Sequence, residues 1–207
     1  ILGMVQETYD SFGLGKPRIV LCPRPDRRGG TEEMWDKAEE MLKLALMETG
    51  VCFETEGGEG AFYGPKIDFF MNDALGREWQ LGTVQLDLFM PDRFDLSYDS
   101  EGGIQERPVI IHRAVFGSLE RFFAVLLEHY GGALPVWLSP VQAVMIPIAD
   151  RHIENCLVLT KELGASGVRV ETDHRNTRMN SKIRTAQLQK IPFMLVVGDS
   201  EVRDQTM

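Results

Sequence analysis

Cysteine is scarce in this sequence, with only Cys22, Cys52 and Cys156 among 207 residues. An odd number of widely spaced thiols excludes a disulfide framework and points to a reducing compartment, so a cytoplasmic location is expected. No apolar run approaches the roughly 20 residues that a bilayer requires, and no signal pattern opens the chain, which argues against a membrane partner. Positive charge is short as well. Lysine and arginine number 22 against 31 acids, a net charge of −9. General attraction to nucleic acid is thereby excluded, and any RNA surface must be a local basic patch. The chain begins Ile1-Leu2-Gly3 without an initiator methionine, from which a fragment or processed chain is expected. What is present is the composition of a soluble globular protein, 43% apolar and 26% charged, long enough for one large domain or two small ones.

The stretch around which the rest is organised is Pro108–Tyr130. Val109–Ile111 is a short apolar run that reads as a buried strand, closed by His112-Arg113. After the turn at Gly117-Ser118, Leu119, Phe122, Phe123, Leu126, Leu127 and Tyr130 recur at helical spacing until Gly131-Gly132 and Pro135 stop them. His112 and Arg121 are out of place in that apolar frame. They read as a metal or substrate ligand and a phosphate-binding cation, or as a hydrogen-bonded histidine and an arginine paired with Glu120 or Glu128. The pattern alone leaves both open.

Upstream, Leu2–Phe12 reads as a short helix and Arg18–Cys22 as a strand. Thr31 is an N-cap with Glu32 and Glu33 in the first turn. It opens a helix whose stripe is Met34, Trp35, Ala38, Met41, Leu42, Ala45 and Leu46, ended by Gly50. Val51–Glu54 reads as an edge strand before the glycine-rich Glu56–Gly60. Ala61–Met71 reads as a strand broken at Gly64-Pro65, with Lys66 and Asp68 on one face. In Glu78–Pro91, Val84, Leu86 and Leu88 alternate with Thr83, Gln85 and Asp87, so an apolar face opposes one of hydroxyl, amide and carboxylate. Such a face suits a polar small molecule, or open water. Bringing Gln80 into one site with Gln85 requires a bulge, expected at Gly82.

Three blocks, Glu59–Phe69 (EGAFYGPKIDF), Trp79–Asp87 (WQLGTVQLD) and Ile111–Phe122 (IHRAVFGSLERF), closely resemble the threonyl-tRNA synthetases, and the likeness runs from about Met4 to Glu201. Gly117–Arg121 resembles the third signature motif of class II aminoacyl-tRNA synthetases. The resemblance implies a threonine–tRNA ligase that forms threonyl-adenylate from threonine and magnesium-ATP and passes the threonyl group to tRNA(Thr). It implies that Arg121, Lys66 and Gln85 serve catalysis, with Arg121 on the ATP γ-phosphate. Tyr63, Gln85 and Ser118 would line the threonine pocket, and Lys66, Gln80 and Thr83 would lie near the adenylate. His112 would be one of three protein ligands of a zinc ion that reads threonine by its amino and hydroxyl groups. The family's other zinc ligands, a cysteine and a histidine, and its first two motifs are expected upstream of this sequence, so the chain alone is expected to be inactive. A homodimer is expected of the intact protein.

The pattern changes after Trp137–Pro140. The expected organisation is a catalytic part over 1–138, α+β with a mixed or antiparallel sheet, and a small α/β domain over 139–207. Strands at Val141–Ile148, Val168–Glu171 and Pro192–Val197 alternate with helices at Ile153–Leu163 and Arg175–Ile191, the pattern of a parallel sheet. Asp173–Lys190 holds Arg175, Arg178, Lys182, Arg184 and Lys190 against one acid. By itself that is the solvated face of a helix. The resemblance makes this the anticodon-binding domain, with Asn176, Arg184, Lys190 and Glu201 as contacts to exposed loop bases. A non-catalytic tRNA-binding paralogue is the competing reading, since motifs 1 and 2 do not occur in this sequence.

Overall fold

A computed structural model describes residues 1–204, which fall into two compact units, Ile1–His129 and the residues from Tyr130 onward. Helix α1 (Leu2–Ser11) precedes strand β1 (Arg18–Cys22). Helix α2 (Glu32–Thr49) starts where Thr31 accepts the Met34 amide and ends at Gly50, whose φ of 68° a side chain would resist. Then come β2 (Glu54–Thr55), β3 (Lys66–Asn72) and β4 (Glu78–Asp87). A short helix α3 (Met90–Arg93) and a hairpin of β5 (Tyr98–Asp99) and β6 (Gln105–Glu106) lead to β7 (Ile110–Ala114) and helix α4 (Leu119–Tyr130).

Five strands form one sheet in the order β2-β1-β3-β4-β7, antiparallel except for β1 with β2. The register opposes Lys66 to Gln85 and Gln85 to His112, so these three side chains share a face. Leu81 is the extra residue of a bulge, because Gly82 faces Phe69 while Gln80 already faces Phe70. Gln80 thereby comes into phase with Thr83 and Gln85. The bulge falls one residue before the expected Gly82, and it does what the spacing required. The opposite face carries Ile19, Ile67, Phe69, Val84 and Leu86, all buried, and α2 lies against β4.

Several boundaries moved, each for a local reason. The edge strand expected at Val51–Glu54 is two residues, Glu54–Thr55. The strand expected from Ala61 begins at Lys66, because Ala61 and Gly64 close a tight turn on each other. Gly64 has no room for a Cβ, which would meet the Leu86 carbonyl oxygen at 1.8 Å. The strand expected to reach Pro91 ends at Asp87, whose Oδ1 accepts the Phe89 and Met90 amides and turns the chain into α3. On α4 the buried residues are Phe122, Val125 and Leu126, whereas Leu119 and Phe123 of the expected stripe are exposed. On α2, Met41 is likewise exposed.

Trp35 anchors this unit. It has no exposed surface, and its indole nitrogen donates to the Gly29 carbonyl at 2.8 Å. Trp35→Ala should destabilise the chain by about 3–5 kcal/mol, the usual cost of emptying an aromatic core site. Urea unfolding checks this, and a loss under about 1 kcal/mol would mean that the site collapses or that Trp35 is not central.

In the second unit, β8 (Ala143–Pro147), a 3-10 turn (Asp150–His152), α5 (Ile153–Ala165), β9 (Val170–Thr172), α6 (Met179–Leu188), β10 (Phe193–Val197) and α7 (Asp199–Asp204) follow in order. The three strands are parallel in the order β10-β8-β9. Val144 and Ile146 pack with Ala186 of α6, while Met145 and Val197 pack with Cys156 of α5. Helices therefore cover both faces, as a parallel sheet demands. The helix expected from Arg175 starts at Met179. Asp173 accepts the Arg175 amide and guanidinium and holds Asp173–Arg178 as a loop.

Candidate functional site

The polar face of the five-stranded sheet is built from alternate residues of three neighbouring strands. Tyr63 stands over it from the turn before β3 and donates its hydroxyl to Gln85 Oε1. Its ring lies 5.3 Å, centroid to centroid, from that of His112. His112 Nε2 lies 2.8 Å from Asp87 Oδ2, and Asp87 has no exposed surface. Burial and then the charge of Asp87 push the Tyr63 phenol up, so it remains a neutral donor at neutral pH. Tyr63, Gln85 and His112 are thus brought together.

One strand over, Lys66 Nζ pairs with Asp68 Oδ2 at 2.7 Å. Asp68 is 2% exposed, and its other oxygen and the Thr83 hydroxyl across the ladder are buried without a hydrogen-bond partner. The aspartate of this pair is buried and the lysine half-buried. Cys22, on the same face, directs its thiol to Asp68 Oδ2 at 3.6 Å, and burial followed by Asp68 pushes that thiol up to about 12. It is a neutral donor and not a nucleophile.

Arg121 reaches β4 from α4. Its Nη1 donates to the Gln80 main-chain carbonyl at 2.8 Å, beside the bulge, and its guanidinium carbon lies 5.7 Å from the centre of the Trp79 ring. Neither glutamate expected as its structural partner serves it: Glu120 accepts from Ser118, and Glu128 from Arg77. The side chain is exposed, with one guanidinium nitrogen anchored on the Gln80 carbonyl. Ser118 Oγ accepts the Arg121 amide at 3.3 Å and so caps α4. Gly117, at φ 61°, seats this turn on the bulge, for a Cβ there would lie 2.0 Å from the Leu81 carbonyl oxygen. Tyr9 ties α1 to the same turn by donating to the Val115 carbonyl at 2.8 Å.

Zinc does not fit these residues by themselves. Among the described residues no three His, Cys, Asp or Glu side chains are grouped to hold a metal, and His112 stands with Asp87 alone. Asp87, Asp68 and Trp79 escaped the reading of candidate site residues from sequence. The signal for Asp87 was present: it is an aspartate in phase with Thr83 and Gln85, two and three residues before amides that open a helix.

In the second unit, Asn176 lies in the loop after β9, Arg184 is exposed on α6, and Lys190 follows α6 at φ 58°. Glu201 Oε2 accepts the Gly198 amide at 2.9 Å, at the start of α7. Asp199 is held well below the usual carboxylate range by Arg151 and then His152. The basic run is not one solvated face. Lys182 is 5% exposed and turns inward.

Residues 18–130 match the family described as the tRNA synthetase class II core domain (G, H, P, S and T), and residues 142–207 match the anticodon binding domain family. The threonine–tRNA ligase of Natranaerobius thermophilus is 48% identical over 207 residues, all of this chain and 32% of that protein. The crystal structure of the RNA binding domain of threonyl-tRNA synthetase from Cryptosporidium parvum superposes with a TM-score of 0.93. It is 44% identical, over 98% of this chain and 51% of that one. A putative threonyl-tRNA synthetase from Aeropyrum pernix gives a TM-score of 0.78 at 34% identity, over 98% of this chain and 49% of its own. The chain therefore spans about a third of the length of its curated relatives. With its Gly117 turn seated on a bulged, mostly antiparallel sheet, and a parallel α/β unit following in the chain, the chain belongs to the class II tRNA synthetase core-domain family and carries an anticodon-binding domain.

Proposed function

We propose that this chain is part of a threonine–tRNA ligase that activates threonine with magnesium-ATP and transfers the threonyl group to tRNA(Thr). The observation that carries the proposal is the continuous polar face Lys66–Gln85–His112, roofed by Tyr63 and flanked at Gln80 by the exposed Arg121. In this reading threonine lies by Tyr63, Gln85 and Ser118, and the adenylate by Lys66, Gln80 and Thr83. Arg121 meets the γ-phosphate and stabilises the charge that develops as pyrophosphate leaves. Lys66, paired with Asp68, is oriented along the face and is not a loose counter-ion. The protein acts as a homodimer in the cytoplasm. The intact polar face weighs against a non-catalytic tRNA-binding paralogue, which would have no use for it.

Zinc enters this proposal only through the longer protein. His112 would supply one imidazole, oriented by Asp87, and a zinc ion bound there would read the threonine hydroxyl as a Lewis acid. Because a single imidazole does not hold zinc tightly, the 207-residue chain should keep no stoichiometric metal after dialysis. Atomic emission on the chain and on the full-length protein checks this. Full occupancy in the chain would mean that Cys22, Cys52 or Cys156 completes the site and that His112 is misassigned.

The anticodon contacts Asn176, Arg184, Lys190 and Glu201 complete the proposal. Arg184→Ala in the full-length protein should weaken aminoacylation while leaving threonine-dependent ATP–pyrophosphate exchange within about twofold, because the change lies in the second unit. Equal loss in both assays would contradict that division of labour.

A further inference from the structure

Lys182 has no place in the readings above, yet it is the one lysine of the described residues that is fully withdrawn from solvent, 5% exposed on α6. Its Nζ donates to the Asp173 carbonyl at 3.0 Å and to the Pro147 carbonyl at 3.3 Å. Pro147 is the last residue of β8 and Asp173 the first beyond β9. One ammonium thus joins the carboxyl ends of two adjacent parallel strands, the edge at which ligands gather in sheets of this kind. The Asp173 carboxylate in turn accepts from the Arg175 amide at 3.1 Å and from its Nε at 2.9 Å, which folds the loop immediately before Asn176. A cavity of about 280 Å³ opens beside it, lined by Asp173, His174 and Arg175, by Thr185 of α6 and by Gln189 just after that helix.

An apolar side chain would occupy the same slot without the cost of burying an ammonium, but it would leave both carbonyls unpaired at the strand ends. We propose that Lys182 is a positioning residue for anticodon reading, which clamps the Asp173–Asn176 loop to the end of β8 so that Asn176 is presented to an RNA base. The proposal rests on the tRNA-binding reading given above and adds a residue that touches no RNA itself.

The test is anisotropy titration of the full-length protein with two anticodon stem-loops, the tRNA(Thr) sequence and one with a single anticodon base changed. Wild type should prefer the first. Absence of any preference would overturn the tRNA reading itself, separately from the role of Lys182. Lys182→Met should reduce the preference about tenfold, the size of one lost base contact, while Lys182→Arg, which keeps donors for both carbonyls, should retain it. Asn176→Ala combined with Lys182→Met should be no worse than either alone, because both remove the same contact. A merely structural lysine would lower affinity for both RNAs alike and add to Asn176→Ala. Either that result or full preference in Lys182→Met overturns the proposal. If Lys182→Met does not fold, Lys182→Ala, which likewise has no donor, takes its place with the same expected loss of preference and the same overturning results.

Discussion

Arg121→Ala should depress threonine-dependent ATP–pyrophosphate exchange by the full-length protein about 10²-fold or more, the loss expected when a transition-state charge contact is removed. The geometry confines the effect to chemistry. The side chain is exposed, its protein contacts are one bond to the Gln80 carbonyl and the flank of Trp79, and the apolar residues of α4 that make the core, Phe122, Val125 and Leu126, are untouched. An exposed cation–π contact is worth about 0.5–1 kcal/mol, so thermal stability should fall little. Exchange at the wild-type rate would remove Arg121 from the phosphate site.

Gly117→Ala should do comparable harm by a different route. At φ 61° an alanine is strained by about 1–2 kcal/mol, and its methyl would collide with the Leu81 carbonyl oxygen. Relief requires the Gly117 turn to lift off the bulge, carrying Ser118 and Arg121 with it. A displacement of that kind should cost about 10²-fold in exchange, beyond any loss of stability. Gly103 is the control. It has φ 70° but nothing within 4 Å of its missing Cβ, so Gly103→Ala pays only the backbone strain. If both variants retain activity alike, the seat of the turn on Leu81 is not what positions Arg121.

How much of this was legible in the sequence depended on whether a signal was local. Thr31, the acids after it and Gly50 framed α2 to the residue, because capping is written in adjacent positions. Alternation along Thr83–Asp87 gave the two faces of the sheet. The bulge could be inferred only because Gln80 and Gln85 fall out of phase, and its placement moved from Gly82 to Leu81, where the backbone approaches Gly117. What sequence spacing could not supply was pairing at a distance. That His112 leans on Asp87, 25 residues away, and Arg121 on Gln80, 41 away, follows from the β4–β7 register and from where α4 lands. Nor does a basic run reveal that Lys182 points inward, since its neighbours Ile183 and Ala186 decide which side of α6 faces the sheet.

The most direct measurement is ATP–pyrophosphate exchange by the full-length protein with each of the twenty amino acids in turn. Exchange is expected with threonine, markedly less with serine, and none above background with valine, which is nearly isosteric but lacks the hydroxyl that the proposed site would bind. Absence of exchange with any amino acid, or exchange with valine equal to that with threonine, would contradict it.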